Sequence, residues 1–254
     1  MEAIITFYFF ILGLIFGSFF NVVGLRVPKG ESLIRPGSHC PQCNHPLAWY
    51  ELIPFFSYLL LRGKCKVCKN RISPIYPLME GLTGILFAFS FWRFGLSSEL
   101  VASLLLISLF MIITVSDLKY MLIPNKVLLF FLPIFILYRV FNPLTPWWDS
   151  ILGAFLGFGI LYLLAVISRG GMGGGDIKLY FVLGLLLGSE LTLLSLFFSS
   201  LIGSIFGLGL LVTKNFKKRN PIPFGPFIAA GTILSFFYGE MVLDWYMNLF
   251  LSAL

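Results

Sequence analysis

The apolar positions of this chain are organised by the length of its uncharged runs, not by alternation. From Ala3 to Leu25 no residue is charged, and 23 such residues are enough to cross a bilayer with some tilt. No basic residue precedes the run, and Arg26 and Lys29 follow it. It therefore lacks the charged start of a cleavable signal and reads as a retained first helix with its N-terminus outside. Further runs extend from Ile75 to Trp92, Leu100 to Ser116, about Asn125 to Tyr138, and Ser150 to Ser168; Pro133 is placed to kink the fourth span. Between Lys178 and Lys214 lie 35 residues whose only charge is Glu190. One helix of that length would measure about 52 Å against a hydrocarbon core of about 30 Å. The pattern thus predicts a hairpin turning near Gly188-Ser189-Glu190. A last run opens after the basic stretch Lys214 to Arg219, at Pro221-Ile-Pro-Phe-Gly-Pro226, and ends near Tyr238.

These runs predict an all-α polytopic membrane protein of about eight transmembrane helices. Composition agrees: of 254 residues, 58% are hydrophobic and 11% charged, where a soluble domain carries about a quarter charged residues. The excess of 18 Lys and Arg over 11 Asp and Glu is explained by topology without invoking nucleic acid. With both termini outside, only Arg93 and Arg139 fall on the outer side, as the positive-inside rule requires.

The polar stretch from Val27 to Ser73 interrupts the pattern and holds all four cysteines, as Cys40-Pro-Gln-Cys43 and Cys65-Lys-Val-Cys68, with 21 residues between the pairs. Each Cys-x-x-Cys can place two thiolates on one tetrahedral metal, and two such knuckles complete a closed structural zinc site. Disulfides or a redox dithiol are the alternatives; placement after Arg26, facing a reducing cytoplasm, argues against disulfides. A segment this small needs such a staple to fold. His39 and His45 are spare ligands at best. Glu80, near the start of the second span, is either an interfacial residue favoured by the helix dipole or a site residue.

Two acids stand where chemistry is expected. Gly170-Gly171-Met172-Gly173-Gly174-Gly175 precedes Asp176, so the backbone there can adopt conformations closed to other residues and can be approached closely. Asp117 closes the third span, and the topology puts it on the same inner side. Two carboxylates at a membrane surface are the parts of an aspartyl protease, one taking a proton from water while the other donates to the scissile carbonyl. The same acids fit a cation- or proton-coupled transporter. No HExxH occurs and no span offers a histidine to activate a serine, which removes two common hydrolase classes. No Gly-Lys-Ser/Thr follows the glycines, so they form no phosphate cradle.

Gly173-Gly174-Gly175-Asp176 contains the Gly-x-Gly-Asp pattern of intramembrane aspartyl proteases. Its extension through Ile177-Lys178-Leu179 resembles bacterial type IV prepilin peptidases (prepilin leader peptidase/N-methyltransferase). So do Phe16-Gly17-Ser18-Phe19 with Asn21, the four cysteines, Tyr76-Pro77-Leu78-Met79-Glu80, Asp117 with Ile123-Pro124-Asn125, and Pro223-Phe224-Gly225-Pro226. The resemblance implies a multi-pass enzyme of the bacterial inner membrane that cleaves the basic leader of prepilins or pseudopilins on the cytoplasmic side. It implies Asp117 and Asp176 as the catalytic pair and Cys40, Cys43, Cys65 and Cys68 as the zinc ligands. It also implies methylation of the new N-terminus with S-adenosylmethionine, for which the sequence assigns no residues. Asn125 departs from the Asp that many members carry there. On this reading residues 1–26 are the first helix, 27–73 a cytoplasmic zinc-binding segment, and 74–254 a peptidase core of about seven helices. The basic segment would repel a basic leader unless acids such as Glu31, Glu51 and Glu80 line its entry.

Overall fold

The computed structural model describes residues 1–40, 42–169, 171–212 and 222–251. The basic stretch Lys214 to Arg219, Pro221 and Gly170 lie outside them. Among the described residues the elements are helical, and six helices are long and apolar enough to cross a membrane. The chain forms two compact units, Met1–Tyr120 and Met121–Leu254.

In the first unit, α1 (Glu2–Arg26), α3 (Ile75–Phe94) and α4 (Ser98–Tyr120) pack together; a short α2 (Phe56–Leu60) lies in the polar segment between α1 and α3. Hydrocarbon offers no solvent to expel from between helices, so they associate where small residues let backbones touch. Gly13 and Gly17, one turn apart on α1, supply that surface. A Cβ on Gly13 would lie 2.7 Å from Gly84 Cα, and one on Gly17 would lie 2.8 Å from Glu80 Cα. Two turns further, Gly24 meets the carbonyl of Ile112 on α4 in the same way. Helix α4 runs past Ser116 to Tyr120 because nothing before Pro124 stops it, which leaves Asp117 inside its last turn. Glu80 is buried in the second turn of α3, and its Oε2 accepts the Phe55 N–H at 2.8 Å.

In the second unit are α5 (Asn125–Phe141, continuous across Pro133), α6 (Asp149–Ile167), α7 (Gly174–Val212) and α8 (Gly225–Leu251). Helix α7 is two arms joined at Gly188, whose φ of 78° is open to glycine and closed to most side chains. The Tyr180 hydroxyl lies 3.3 Å from Ser195 Oγ and 3.0 Å from Ser199 Oγ. On one straight helix those residues would be about 22 and 28 Å away, so the chain reverses where the length argument requires. Among the described residues, α5 and the second arm of α7 bring these six to eight long apolar helical stretches.

A backbone break within a bilayer leaves carbonyls and N–H groups that must find partners. Here Arg139 Nε donates to the Leu186 carbonyl at 2.8 Å, and Asp149 Oδ2 accepts the Ser189 N–H at 3.1 Å. The Arg139 and Asp149 charges thus cap the two arms, which gives Arg139 a reason to sit apart from the other basic residues. Below the turn, Gly153 and Gly157 of α6 lie on Gly184 and on the Tyr180 carbonyl of α7. Ser195 Oγ and Thr232 Oγ1, 2.7 Å apart, extend the Tyr180 network to α8. Helix α8 continues past Tyr238, because Glu240 and Asp244 lie on its exposed surface and no breaker follows.

Gly153→Leu is expected to lower the unfolding midpoint in detergent by several degrees, since its Cβ would meet backbone. Gly159→Leu, on the same helix with nothing within 4 Å, should leave it unchanged. Equal midpoints for the two variants would remove glycine packing as the organiser of this unit.

Candidate functional site

The four cysteines converge. Cys40 Sγ stands 3.8 Å from Cys68 Sγ and Cys43 Sγ 3.9 Å from Cys65 Sγ, and all four sulfurs lie within 4.8 Å of one another. A disulfide needs about 2.05 Å, so these are free thiols grouped so that they could hold a metal ion. Two congruent turns build the group. In each, the N–H of the first cysteine donates to the carbonyl five residues on, His45 or Asn70, at 3.0 and 2.8 Å. The residue four on, Asn44 or Lys69, returns its N–H to that cysteine's carbonyl and takes a positive φ, 55° and 58°. Short bridges His39–Pro46 and Lys64–Arg71 close both turns. The repeat lies in the backbone, and the side chains give little sign of it.

The electrostatics of the cluster follow from those turns. N–H groups of Gln42 and Cys43 aim at Cys40 Sγ and draw that thiol down to about 7. Those of Cys68 and Val67 lower Cys65 likewise. At Cys68 the Asn70 N–H pulls down, but desolvation and the neighbouring sulfurs outweigh it and push the thiol up to about 11. Four thiolates this close repel, and a bound cation removes the repulsion. Neither histidine joins the sulfurs: His39 Nδ1 is 2.9 Å from the Gly37 carbonyl, and His45 Nε2 is 3.4 Å from Glu51 Oε2.

The two aspartates fall in different units. Asp117 is buried in the last turn of α4, the most enclosed of the spanning helices. Asp176 is half-buried in the first turn of α7, where its N–H donates to the Gly173 carbonyl at 3.1 Å. There it shares the positive end of the helix dipole.

Of the described glycines before Asp176, Gly173 and Gly175 meet a need for space, and none meets a need for conformation. None of Gly171, Gly173, Gly174 and Gly175 takes a positive φ. A Cβ on Gly173 would crowd Asp176 Oδ2 at 3.2 Å, and one on Gly175 would strike Ile123 Cβ at 2.9 Å, while Gly174 faces open space. Ile123 thereby seats the loop that presents the carboxylate. Lys178 Nζ donates to Asn125 Oδ1 at 3.1 Å, so the residue that departs from the family pattern ties α5 to the start of α7. Both stand at the polar end of a groove of 530 Å³ lined by Leu128, Phe155, Phe158 and Phe181. Sequence reasoning gave no role to Ile123, Asn125 or Lys178 in placing Asp176. Their partners lie about fifty residues away.

Comparison with known proteins bears on these placements. Residues 11–94 match the model of the bacterial peptidase A24 N-terminal domain, and residues 104–208 match that of the type IV leader peptidase family. A prepilin leader peptidase/N-methyltransferase of Bacillus subtilis (strain 168) is 46% identical over 243 residues, covering 96% of this chain and 98% of that protein. Proteins of the same name from Aeromonas salmonicida (strain A449) and Pseudomonas aeruginosa are 33% and 32% identical, each over 94% of this chain and 92% of its own length. No solved structure matches. Nothing in these comparisons supports the transporter reading. With such identity sustained along nearly the whole of both sequences, the chain belongs to the type IV leader peptidase family, as a multi-pass membrane peptidase with an N-methyltransferase activity.

Proposed function

We propose that this protein removes the basic leader of prepilins or pseudopilins at the cytoplasmic face of the inner membrane and then methylates the freed N-terminus with S-adenosylmethionine. The observation that carries the proposal is the 46% identity to the Bacillus subtilis enzyme across almost the full length of both chains. Asp117 and Asp176 are the catalytic pair. One, as carboxylate, takes a proton from the attacking water; the other, as acid, donates to the scissile carbonyl. Placement of Asp176 in a first helical turn, on a loop kept bare by Gly173, supports its role, since peptide backbone can approach such a loop closely.

The sidedness follows from charge. Within the second unit, Asp176 and the Arg139–Asp149–Gly188 turn are at opposite ends of the first α7 arm, about 18 Å apart. With that turn outside, Asp176 belongs to the side of the basic loops, and both termini lie outside.

The metal is zinc in a structural role. Thiolate–zinc bonds of about 2.3 Å in a tetrahedron place sulfurs about 3.8 Å apart, and the two close pairs stand at 3.8 and 3.9 Å. Zinc would hold the two congruent turns together. Four protein ligands leave no open position for a substrate.

Asp117→Asn and Asp176→Asn, each alone, are expected to lower leader cleavage by at least about a hundredfold while the protein still accumulates, because an amide does neither half of the proton work. Cleavage of a leader-bearing substrate in membranes reads this directly. Full processing by either variant would refute the pair.

Metal analysis of the purified protein is expected to find one zinc per chain. Serine at any of Cys40, Cys43, Cys65 or Cys68 should abolish it. Ligand thiols must be deprotonated, so zinc affinity falls with falling pH, and acidification should release the ion and loosen residues 27–73. Fresh protein without zinc and with oxidised cysteines would overturn both the site and the cytoplasmic placement.

A further inference from the structure

Between Glu51 and Arg62 the cysteine-bearing segment carries ten residues without a charge, Leu52-Ile-Pro-Phe-Phe-Ser-Tyr-Leu-Leu-Leu61. Neither the proposed acids nor the metal site uses them. Their large apolar side chains are not folded inward: Leu52, Ile53, Phe56, Leu59 and Leu60 are exposed, Leu60 at 83%. Apolar surface gathered in one short stretch and left outside the fold marks contact with a partner or a membrane.

Depth decides between the two. Ile53, Pro54 and Phe56 share a cavity of about 420 Å³ with Ile11, Leu14 and Ser18 of α1, and of its eight lining residues only Ser18 is polar. Ser18 stands eight residues before Arg26, the charge that ends the first span, and Ile11 stands fifteen before it. At 1.5 Å per residue the cavity faces α1 from about 12 to about 22 Å beyond that charge, within a hydrocarbon core about 30 Å thick. Helix α3 gives the same level independently. Glu80, which accepts the Phe55 N–H, packs its Cα against Gly17 of α1. Gly17 lies about 14 Å along the helix from Arg26. Backbone carried to that depth must have its polar groups matched, and the bonds of this stretch fit that condition. Pro54 brings no N–H. Phe55, at φ 63°, directs its N–H at a carboxylate supplied by a spanning helix. The N–H groups of Ser57, Leu59 and Leu61 donate to the carbonyls of Ile53, Phe55 and Ser57 at 3.1, 3.3 and 2.9 Å.

We propose that residues 52–61 form a re-entrant loop immersed in the leaflet on the Arg26 side, with lipid acyl chains covering Ile53, Phe56 and the cavity they line. Ile15 of α1, 55% exposed, lines the same cavity, so the lipid-facing surface of the span continues onto the loop. Entry and exit lie on one side of the membrane. Cys40 and Cys43 before the loop and Cys65 and Cys68 after it therefore stay together. Cys65 follows Leu61 by four residues, at most about 14 Å of chain, so the loop pins the metal-binding turns to the membrane surface. The segment that reads as polar from the sequence thus has a membrane-inserted middle.

The test uses the full chain in lipid nanodiscs, with 4-trifluoromethylphenylalanine in place of Phe56 or, as a surface control, of Val67, which is exposed between Cys65 and Cys68. Fluorine relaxation is measured with a lipid carrying a mid-chain nitroxide and, separately, with a water-soluble gadolinium chelate. At position 56 the lipid nitroxide is expected to act at least about threefold more strongly than the chelate, and at position 67 the reverse, because only the first lies in hydrocarbon. The unaltered protein gives a second reading: an apolar diazirine dissolved in the bilayer should label residues 52–61 as heavily as α1 and leave residues 64–71 unlabelled. Stronger relaxation by the chelate at position 56 would overturn the proposal. So would a fluorine that neither agent reaches, which would mean that protein covers the loop, or residues 52–61 left unlabelled. Neither measurement depends on cleavage, so failure here leaves the peptidase assignment standing.

Discussion

Close backbone contact at glycine is the constraint on which the rest of this structure depends. Between helices in hydrocarbon there is no water to expel, so what holds them is dispersion and the weak polar contacts that short distances allow. Gly13 and Gly17 bring α1 onto α3, and Gly24 brings it onto α4; Gly153 and Gly157 do the same for α6 on α7, and Gly231 meets Ser199 between α7 and α8. At each of these positions one added methyl group would meet backbone atoms or a packed side chain at under 3 Å. The same closeness brings buried hydroxyls into register, so that Tyr180, Ser195, Ser199 and Thr232 satisfy one another. It also sets Ser18 and Asn21 beside the start of α3.

The polar segment has another source of order, since of its described apolar side chains only those of Cys40 and Cys65 are buried. Two matching turns clasp four sulfurs, and two buried carboxylates hold the chain between them. Glu51 fastens the segment through Ala48, and Glu80, from α3, through Phe55, whose φ is 63°. A charged group buried in this way is stabilising only where its hydrogen bonds are made. That condition explains why a carboxylate at position 80, six residues into a spanning helix, is tolerated at all.

The helices were legible because hydropathy and length are local properties. The hairpin at Gly188 was legible for the same reason: a run too long for the bilayer must turn. The cysteine pairs and the two aspartates stood out as rare polar residues in an apolar chain. The glycines before Asp176 were visible, but the reason for them was not. Their need for space is created by Ile123 and by the folded-back carboxylate itself, and composition cannot show whether a glycine is there for φ or for volume. The last apolar run ends near Tyr238, whereas α8 continues to Leu251, because charges on an exposed helical face do not stop a helix.

Helix α4 lies where the division by family and the division by packing disagree. By sequence, residues 104–208 belong to the peptidase family model and residues 11–94 to the N-terminal one. By packing, the division falls later, between Tyr120 and Met121. Helix α4, with Asp117 in its last turn, therefore carries a proposed catalytic acid on a scaffold made by α1 and α3. Gly24 rests on Ile112 and Val115 of that helix, five and two residues before Asp117, and the Tyr120 hydroxyl donates to the Leu25 carbonyl at 3.2 Å. The position of the Asp117 carboxylate is thus set by the C-terminal end of α1, the same end that bears Asn21 and leads into the cysteine segment. An enzyme built this way cannot lose the order of its N-terminal unit without moving one of its two proposed proteolytic acids.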